Sequence, residues 1–205
     1  MKRKLSLNQL QQVSNFSIAG YNIAPGTRKQ INLDVAKLYD YTDMTLTIEV
    51  IHGKEPGQVM FVSAAMHGDE IIGVEIIKKI KGTLIVVPIV NIFGYNNKSS
   101  YLPDRRDLNR CFPDSENGAL AARLAKIFLD EIVKICDYDI DLHTAAVHRS
   151  NLPQIRACLD DPILKKLAIA FGAPVVVNSK IREGSLREAS LNTHTKLLVY
   201  GSSPI

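Results

Sequence analysis

The sequence has no cysteine framework, no apolar run long enough to cross a bilayer and no extended basic block. Its three cysteines are an odd number, and no Cys-x-x-Cys pair occurs among them. A disulfide scaffold is therefore excluded as the basis of the fold, and a reducing cytoplasm is the expected compartment. The longest apolar runs, such as residues 84–90, are far shorter than the ~20 residues that a membrane-spanning helix needs.

The charge is nearly balanced, with 25 basic and 21 acidic residues giving a net charge of +4. The longest basic block is Lys2-Arg3-Lys4, so a nucleic-acid surface is not indicated. The first ten residues lack an apolar core followed by a small-residue cleavage site, which argues against a signal peptide. The small positive excess suits an acidic small-molecule substrate.

Short apolar runs alternate with helical patterns along most of the chain. Helices are expected at 69–80, at 118–135 with Ser115 or Asn117 as the cap, and from Asp160 or Asp161 to Phe171. Strands are expected at 45–51, 59–64, 84–90, 138–142, 174–177 and 196–200. This alternation predicts an α/β fold with a mixed, largely parallel central sheet flanked by helices.

The domain organisation follows from the same pattern. Residues 1–40 lack strong periodicity and are expected to form an N-terminal arm with a short strand, followed by one catalytic domain over 41–200. The helix ending at Ile80 runs into the next strand with almost no connection, whereas such a junction normally has a loop of several residues. We therefore expect the natural protein to carry further residues after Ile80 and after Tyr200.

The first chemical motif is His67 with Glu70, directly after the buried strand that ends near Ala65. A helix is expected to begin here, so both side chains lie on its first turn at the carboxyl edge of the sheet, where open α/β sheets bind ligands. Two such side chains suit one cation. The alternative is structural, because Asp69 and Glu70 also favour the positive N-terminus of a helix.

The second motif is His143, which follows Asp141 at the end of another apolar strand. A histidine here resembles a metal ligand oriented by a neighbouring carboxylate. Taken alone, this position is better explained by a core histidine bonded to a neighbouring carbonyl. Together, His67, Glu70 and His143 match the two-histidine, one-carboxylate set of catalytic zinc sites, which leave one position open to water.

The third motif is the charged loop 104–110, which lies between the other two. Arg110 is suited to bind a carboxylate with two hydrogen bonds, and Asn109 to orient that carboxylate through its amide. Asp107 is suited to fix a neighbouring arginine, with Arg106 as a further candidate for substrate binding. The alternative is a solvated loop with weak surface ion pairs.

Three segments carry a family resemblance: MHGDE, VPIVNIFGYNNKSSYLPDRRDLNRCFP and DLHTA. They resemble, in order and spacing, the succinylglutamate desuccinylase/aspartoacylase family, a branch of the zinc carboxypeptidase-like fold. The likeness runs from about Gln58 to Tyr200. It implies one Zn²⁺ per chain bound by His67, Glu70 and His143, and substrate-carboxylate contacts from Asn109 and Arg110.

The sequence also departs from this family. Members carry a general-base glutamate just after the last core strand, but Tyr200 is followed by Gly-Ser-Ser-Pro, so no general base is identified. Glu183 and Glu188 are the nearest alternatives, and Arg105 or Arg106 takes the place of an upstream arginine. Members continue into a smaller C-terminal β domain, of which 201–205 is the start or a remnant.

These features predict a zinc-dependent hydrolase that cleaves the amide bond of a small, acidic N-acyl amino acid with a metal-activated water. The first alternative is a carboxypeptidase-like zinc peptidase, which needs an open groove rather than a closed pocket. The second is a metal- or carboxylate-binding module without the general base. The acyl group is not specified by the sequence, and a homo-oligomer is compatible with it.

Overall fold

The computed structural model describes residues 13–38, 40–66, 81–113, 115, 117–144 and 151–202. Their helices and strands follow one another as β1 Phe16–Ile18, β2 Tyr21–Ile23, β3 Thr27–Lys37, β4 Asp43–His52, β5 Val59–Ala64, β6 Thr83–Val87, α1 Ile92–Asn97, α2 Leu120–Glu131, β7 Tyr138–Thr144, β8 Gln154–Ala157, α3 Pro162–Phe171, β9 Val175–Asn178, α4 Leu186–Leu191 and β10 Lys196–Ser202. Short 3-10 helices cover Leu108–Arg110 and Val133–Ile135.

Eight of these strands form one sheet in the order β3-β4-β6-β5-β7-β10-β8-β9. The central strands β6, β5, β7 and β10 are mutually parallel. At one edge β4 runs antiparallel to them, and β3, antiparallel to β4, runs in their direction. At the other edge β8 and β9 both run antiparallel to them. The predicted mixed, largely parallel α/β sheet is confirmed.

The sheet is covered on both sides, which explains the apolar runs of its central strands. On one side α2 packs through Leu124 and Phe128 against Phe61 of β5, and the two phenyl rings meet edge to face at 5.7 Å. On the other side α3 packs through Leu164 and Ala168 against β8 and β10. Alternate residues of each strand therefore point to opposite faces of the sheet. Only side chains on the same face as the candidate site can reach it.

Several sequence expectations hold at the level of single residues. Strand β5 has the predicted bounds, and α3 has the predicted ends: the Asp161 carboxylate accepts the Ile163 N–H, and Gly172 closes the helix with φ of 78°. Strand β6 ends at Val87 rather than 90, directly before Pro88, which has no N–H to donate to a neighbouring strand.

Other expectations were wrong. Helix α2 spans only Leu120–Glu131, and neither Ser115 nor Asn117 caps it; instead Asp104, distant in sequence, accepts the Ala121 N–H at 2.9 Å. The N-terminal arm carries more than the one short strand expected: besides the three-residue strands β1 and β2 it contains β3, whose 11 residues pair along β4. Strand β8 and helix α1 were missed, since each is too short to show a clear period.

The helix expected at 69–80 lies outside the described residues, and so does the junction at Ile80. The turn that follows is described: Gly82 has φ of 86°, and its N–H donates to the Glu55 carbonyl at 3.1 Å. The expected extra residues after Ile80 and the domain boundaries at 40 and 200 stay predictions. Within the described residues, no helix is long and apolar enough to cross a membrane.

Candidate metal and substrate site

The carboxyl ends of β5, β7 and β10 meet at one edge of the sheet, where β8 begins. His143 lies at this edge near the end of β7. At the end of β5, Ala65 has a positive φ of 50°, a backbone conformation that is uncommon for a residue with a side chain. This backbone conformation lies two residues before His67 in the sequence, at the edge that carries His143.

The His143 ring is held by a chain of two hydrogen bonds, one part-buried and one buried. Its Nε2 donates to Asp141 Oδ2 at 2.6 Å, and Asp141 Oδ1 accepts from the Ser63 hydroxyl at 2.9 Å. Ser63 and Asp141 are 0% and 1% exposed, respectively. Because a carboxylate oxygen accepts hydrogen bonds, Nε2 carries a proton, and Nδ1 is the nitrogen that can bind a metal ion. A histidine held this way has the tautomer and orientation of a zinc ligand.

The other two predicted ligands, His67 and Glu70, lie outside the described residues. Within the described part of the chain, no group of three His, Cys, Asp or Glu side chains is placed to hold a metal ion. A metal site that includes His143 therefore requires ligands beyond that part. The buried carboxylate–imidazole pair fits zinc by its donor chemistry, and a zinc site of this kind also takes a second imidazole and a carboxylate.

A second buried carboxyl group lies below this pair on the same face of β7. Asp139 is 1% exposed, and neither of its oxygens has a hydrogen-bond partner within the described residues. Burial, reinforced by the nearby Asp141, raises the pKa of Asp139 well above its ordinary value. Sequence reasoning did not assign a role to this residue, although it lies in the DYDIDLH segment.

The loop predicted to bind substrate is anchored to the start of α4. The Asn109 Oδ1 atom accepts the Leu186 N–H at 3.0 Å, and the Phe112 N–H donates to the Gly184 carbonyl at 2.8 Å. Because its oxygen is engaged there, the Asn109 amide presents its NH2 group as a donor. Leu108 and Phe112 belong to the same core as α2, so the motif lies on the side of the sheet that carries His143.

The remaining residues of this motif take different roles. The Asp107 carboxylate accepts the Asn109 N–H at 2.9 Å and so orders the 3-10 helix that carries Asn109. Arg110 is exposed, and its guanidinium donates to the Asn109 carbonyl. Arg106 is also exposed, and its backbone N–H donates to Asp104 at 3.2 Å. Both arginine side chains are accessible to a substrate.

The sequence did not identify Gln154 and Arg156 as site residues. Gly201 of β10 pairs with His143 of β7 on one side and with Gln154 of β8 on the other. In the same way, Val199 of β10 pairs with Asp141 of β7 and with Arg156 of β8. Paired residues on neighbouring strands point to the same face, so Gln154 and Arg156 face the side of His143. No local signal reveals this, because it depends on pairing between distant strands.

No carboxylate stands at the end of β10. Tyr200 points to the opposite face of the sheet, where its ring lies 5.3 Å from that of Phe171. Gly201 pairs with His143 and so belongs to the line of paired residues that crosses the strands at His143, the His143 row. Of the two alternative bases, Glu188 accepts the Gly184 N–H at 2.8 Å and so stabilises the loop before α4, while Glu183 is exposed. Neither glutamate lies on one of the strands that form the His143 row.

Comparison with known proteins identifies the family of the chain. The model of the succinylglutamate desuccinylase/aspartoacylase catalytic domain matches residues 56–199. N-alpha-acetyl-L-2,4-diaminobutyric acid deacetylase of Halomonas elongata is 27% identical over 136 residues, which are 59% of this chain and 40% of that protein. The chain thus spans less than half the length of this curated relative.

Two solved structures define the fold further. The product-bound ectoine utilization protein EutE of Ruegeria pomeroyi superposes with a TM-score of 0.77 at 23% identity, over 93% of this chain and 65% of that one. A metallo-carboxypeptidase from Burkholderia cenocepacia superposes with a TM-score of 0.63 at 12% identity, over 85% and 55%. The carboxypeptidase-like fold implied by the sequence resemblance is confirmed.

Proposed function

Because the chain belongs to the succinylglutamate desuccinylase/aspartoacylase family, we propose that it is a zinc-dependent deacylase that hydrolyses the amide bond of a small, acidic N-acyl amino acid. The observation that carries the proposal is the buried Ser63–Asp141–His143 chain at the carboxyl edge of the sheet. All three cysteines are free thiols, in keeping with the proposed cytoplasmic location.

His143, through Nδ1, and His67 and Glu70 are the proposed ligands of one Zn²⁺. When bound, zinc supplies a Lewis acid that acidifies water and polarises a carbonyl group. Asp141 keeps the proton of His143 on Nε2 and holds the ring in one orientation. Ser63 keeps the Asp141 carboxylate in place through its other oxygen.

Asn109 and Arg110 are the proposed ligands of a substrate carboxylate, with Arg106 as a further cation. The Asn109 amide is fixed by its bond to the Leu186 N–H, so its NH2 group is oriented before the substrate arrives. Arg110 adds charge-assisted hydrogen bonds. Such fixed contacts set the distance and angle between the scissile amide and the metal site.

A binding module without turnover is the second candidate, and Gly201 is the observation that favours it. This residue occupies the His143 row at the end of β10 and has no side chain to accept a proton from water. Hydrolysis therefore needs a base from outside the described residues. A metal- and carboxylate-binding protein needs no such group.

The test combines metal analysis with hydrolysis assays. Protein purified without chelators is analysed for zinc by mass spectrometry, and its turnover is measured on N-acetyl and N-succinyl amino acids and on a blocked dipeptide. We expect one zinc per chain, lost in His67→Ala, Glu70→Gln and His143→Ala. The exposed His194 provides the matched control, because His194→Ala should retain the metal.

The outcomes separate the candidates. Zinc with turnover of acyl amino acids supports the deacylase, whereas turnover of the dipeptide alone indicates a peptidase. Zinc without any turnover indicates the binding module. If no zinc is found and His67→Ala leaves activity unchanged, the proposal is wrong.

A further inference from the structure

Strand β8 lines the candidate site with two polar side chains. Gln154 pairs with Gly201 and lies in the row of His143, while Arg156 lies one row below, beside Val199. Both are half-buried, and the alternate residues Ile155 and Ala157 pack against α3 on the opposite face. Since neighbouring strands lie about 4.8 Å apart, the Cα atoms of Gln154 and His143 are separated by roughly 10 Å.

The space between Gln154 and His143 lies over Gly201, which has no side chain. A Cβ atom placed on Gly201 would lie 3.8 Å from Gln154 Cγ and 3.9 Å from its Nε2, with no other atom among its nearest contacts within 4 Å. The Gln154 side chain therefore leans over this gap. Its amide has no hydrogen-bond partner among the described residues, so its NH2 group is available to a ligand in the gap.

Arg156 also lacks a partner, since within the described residues no carboxylate forms an ion pair with it. Its positive charge acts on Arg187 of α4. The guanidinium of Arg187 donates to the Ser179 carbonyl at 2.7 Å, and Ser179 in turn follows the end of β9. Burial lowers the pKa of Arg187; the nearby Cys158 partly offsets this, and the positive charges of Arg156 and Arg182 add to it. Within the described residues, Arg156 is thus a half-buried cation without an ion-pair partner.

We propose that Gln154 and Arg156 form an anion-binding wall that holds a second carboxylate of the substrate, on the opposite side of the His143 row from strand β5. The Gln154 amide donates one hydrogen bond, and Arg156 donates two in the planar arrangement that matches a carboxylate. This inference rests on the proposed function, in which Asn109 and Arg110 bind the other carboxylate of the substrate. The wall selects substrates with two anionic ends over those with one.

The test is direct binding rather than turnover. Succinate, which has two carboxylates, and butyrate, which has one and a similar length, are titrated into the wild-type protein by isothermal calorimetry, with zinc and with EDTA. We expect succinate to bind at least about tenfold more tightly. Arg156→Met should remove most of this preference and leave butyrate binding unchanged, while Arg156→Lys retains part of it.

Gln154→Met, which keeps the shape and removes the amide, should weaken succinate binding by about threefold to tenfold. Lys166→Met is the control, because Lys166 is exposed on α3, on the other face of the sheet. Far-ultraviolet circular dichroism confirms that each variant is folded. The proposal of an anion-binding wall is wrong if folded Arg156→Met keeps the wild-type preference for succinate over butyrate. It is also wrong if the wild-type protein binds no succinate, either with zinc or with EDTA.

Failure of the proposed function gives a different result. If the protein holds no zinc and hydrolyses no acyl amino acid, the titration in EDTA still compares succinate with butyrate. A preference that disappears in Arg156→Met then supports the wall without the deacylase. Zinc-dependent turnover with no effect of Arg156→Met on the preference supports the deacylase without the wall.

Discussion

The Asp141 carboxylate and the His143 imidazole face the same side of β7 and are joined by a 2.6 Å hydrogen bond. The two residues are separated by one position, and alternate residues of a strand share a face. The strand itself therefore sets the geometry of the pair. Since the side chain of Asp141 is 2% exposed, water does not compete for the bond.

The first prediction concerns this pair. Asp141→Asn should lower the affinity for zinc by about 10–100-fold, because an amide no longer fixes the proton of His143 on Nε2. Competition with a chromophoric chelator measures the affinity. Ser63→Ala provides a graded control: it removes only the bond to the other carboxylate oxygen and should have a smaller effect. Equal zinc affinity in Asp141→Asn and the wild type would contradict a ligand role for His143.

The second prediction separates the two functions of Asn109. Its oxygen accepts the Leu186 N–H, whereas its NH2 group is the proposed substrate donor. Asn109→Asp keeps the acceptor, so unfolding stability should change little while carboxylate binding weakens. Asn109→Ala removes both and should lower the free energy of unfolding by about 1 kcal/mol.

Urea unfolding and calorimetric titration with succinate measure the two effects on the same samples. If Asn109→Asp lost as much stability as Asn109→Ala, the contact with Leu186 would not depend on the oxygen. If Asn109→Asp bound succinate as tightly as the wild type, the NH2 group would not be a substrate donor.

The sequence revealed features carried by local pattern and missed those that depend on distant pairing. His143 was identified because it ends an apolar strand beside Asp141, and Asp161 because it precedes Pro162. The bond between Ser63 and Asp141 joins residues 78 positions apart, and Asp104 caps α2 from 17 positions away. No local period encodes either contact.

The same reason explains why Gln154 was missed. The segment of β8 has only four residues, too few to establish alternation, and its position beside β10 follows from tertiary packing. The role of Gln154 depends on two successive pairings, from His143 to Gly201 and from Gly201 to Gln154. A sequence shows the residue types of such a row but not their adjacency.

The third prediction concerns the buried Asp139. Its pKa is raised in the folded protein by burial, and next by the charge of Asp141, so folding favours the protonated form. The stability contributed by this protonation is complete below the ordinary aspartate pKa of about 4. It is lost as the pH rises through the folded-state pKa, at up to about 1.4 kcal/mol per pH unit.

Asp139→Asn should therefore unfold at a higher urea concentration than the wild type, by a margin that grows as the pH rises above about 4. Zinc-free protein is used, so that metal release does not contribute to the slope. Asp139→Leu, which is also neutral, should show the same reduced dependence on pH. If the unfolding stability of the wild type and of both variants changed equally with pH above about 4, Asp139 would not lose a proton on unfolding in that pH range.

The fourth prediction concerns Gly201, which lies beside His143 and has room for a side chain. A Cβ there meets Gln154 at ordinary van der Waals distances of 3.8 and 3.9 Å, so Gly201→Glu should fold. The new carboxylate would stand in the row of His143, at the edge where the metal-activated water is expected. If the missing base limits turnover, hydrolysis of N-acyl amino acids should rise by about 100-fold, within the usual range for general-base catalysis.

Gly201→Gln is the matched control, because it fills the same space without a group that takes up a proton. Steady-state kinetics on the zinc-loaded proteins should show the gain in kcat for the glutamate variant alone. Equal rates in the two variants would mean that the gain comes from filling the gap. A folded, zinc-loaded Gly201→Glu no faster than the wild type would mean that another group already serves as the base.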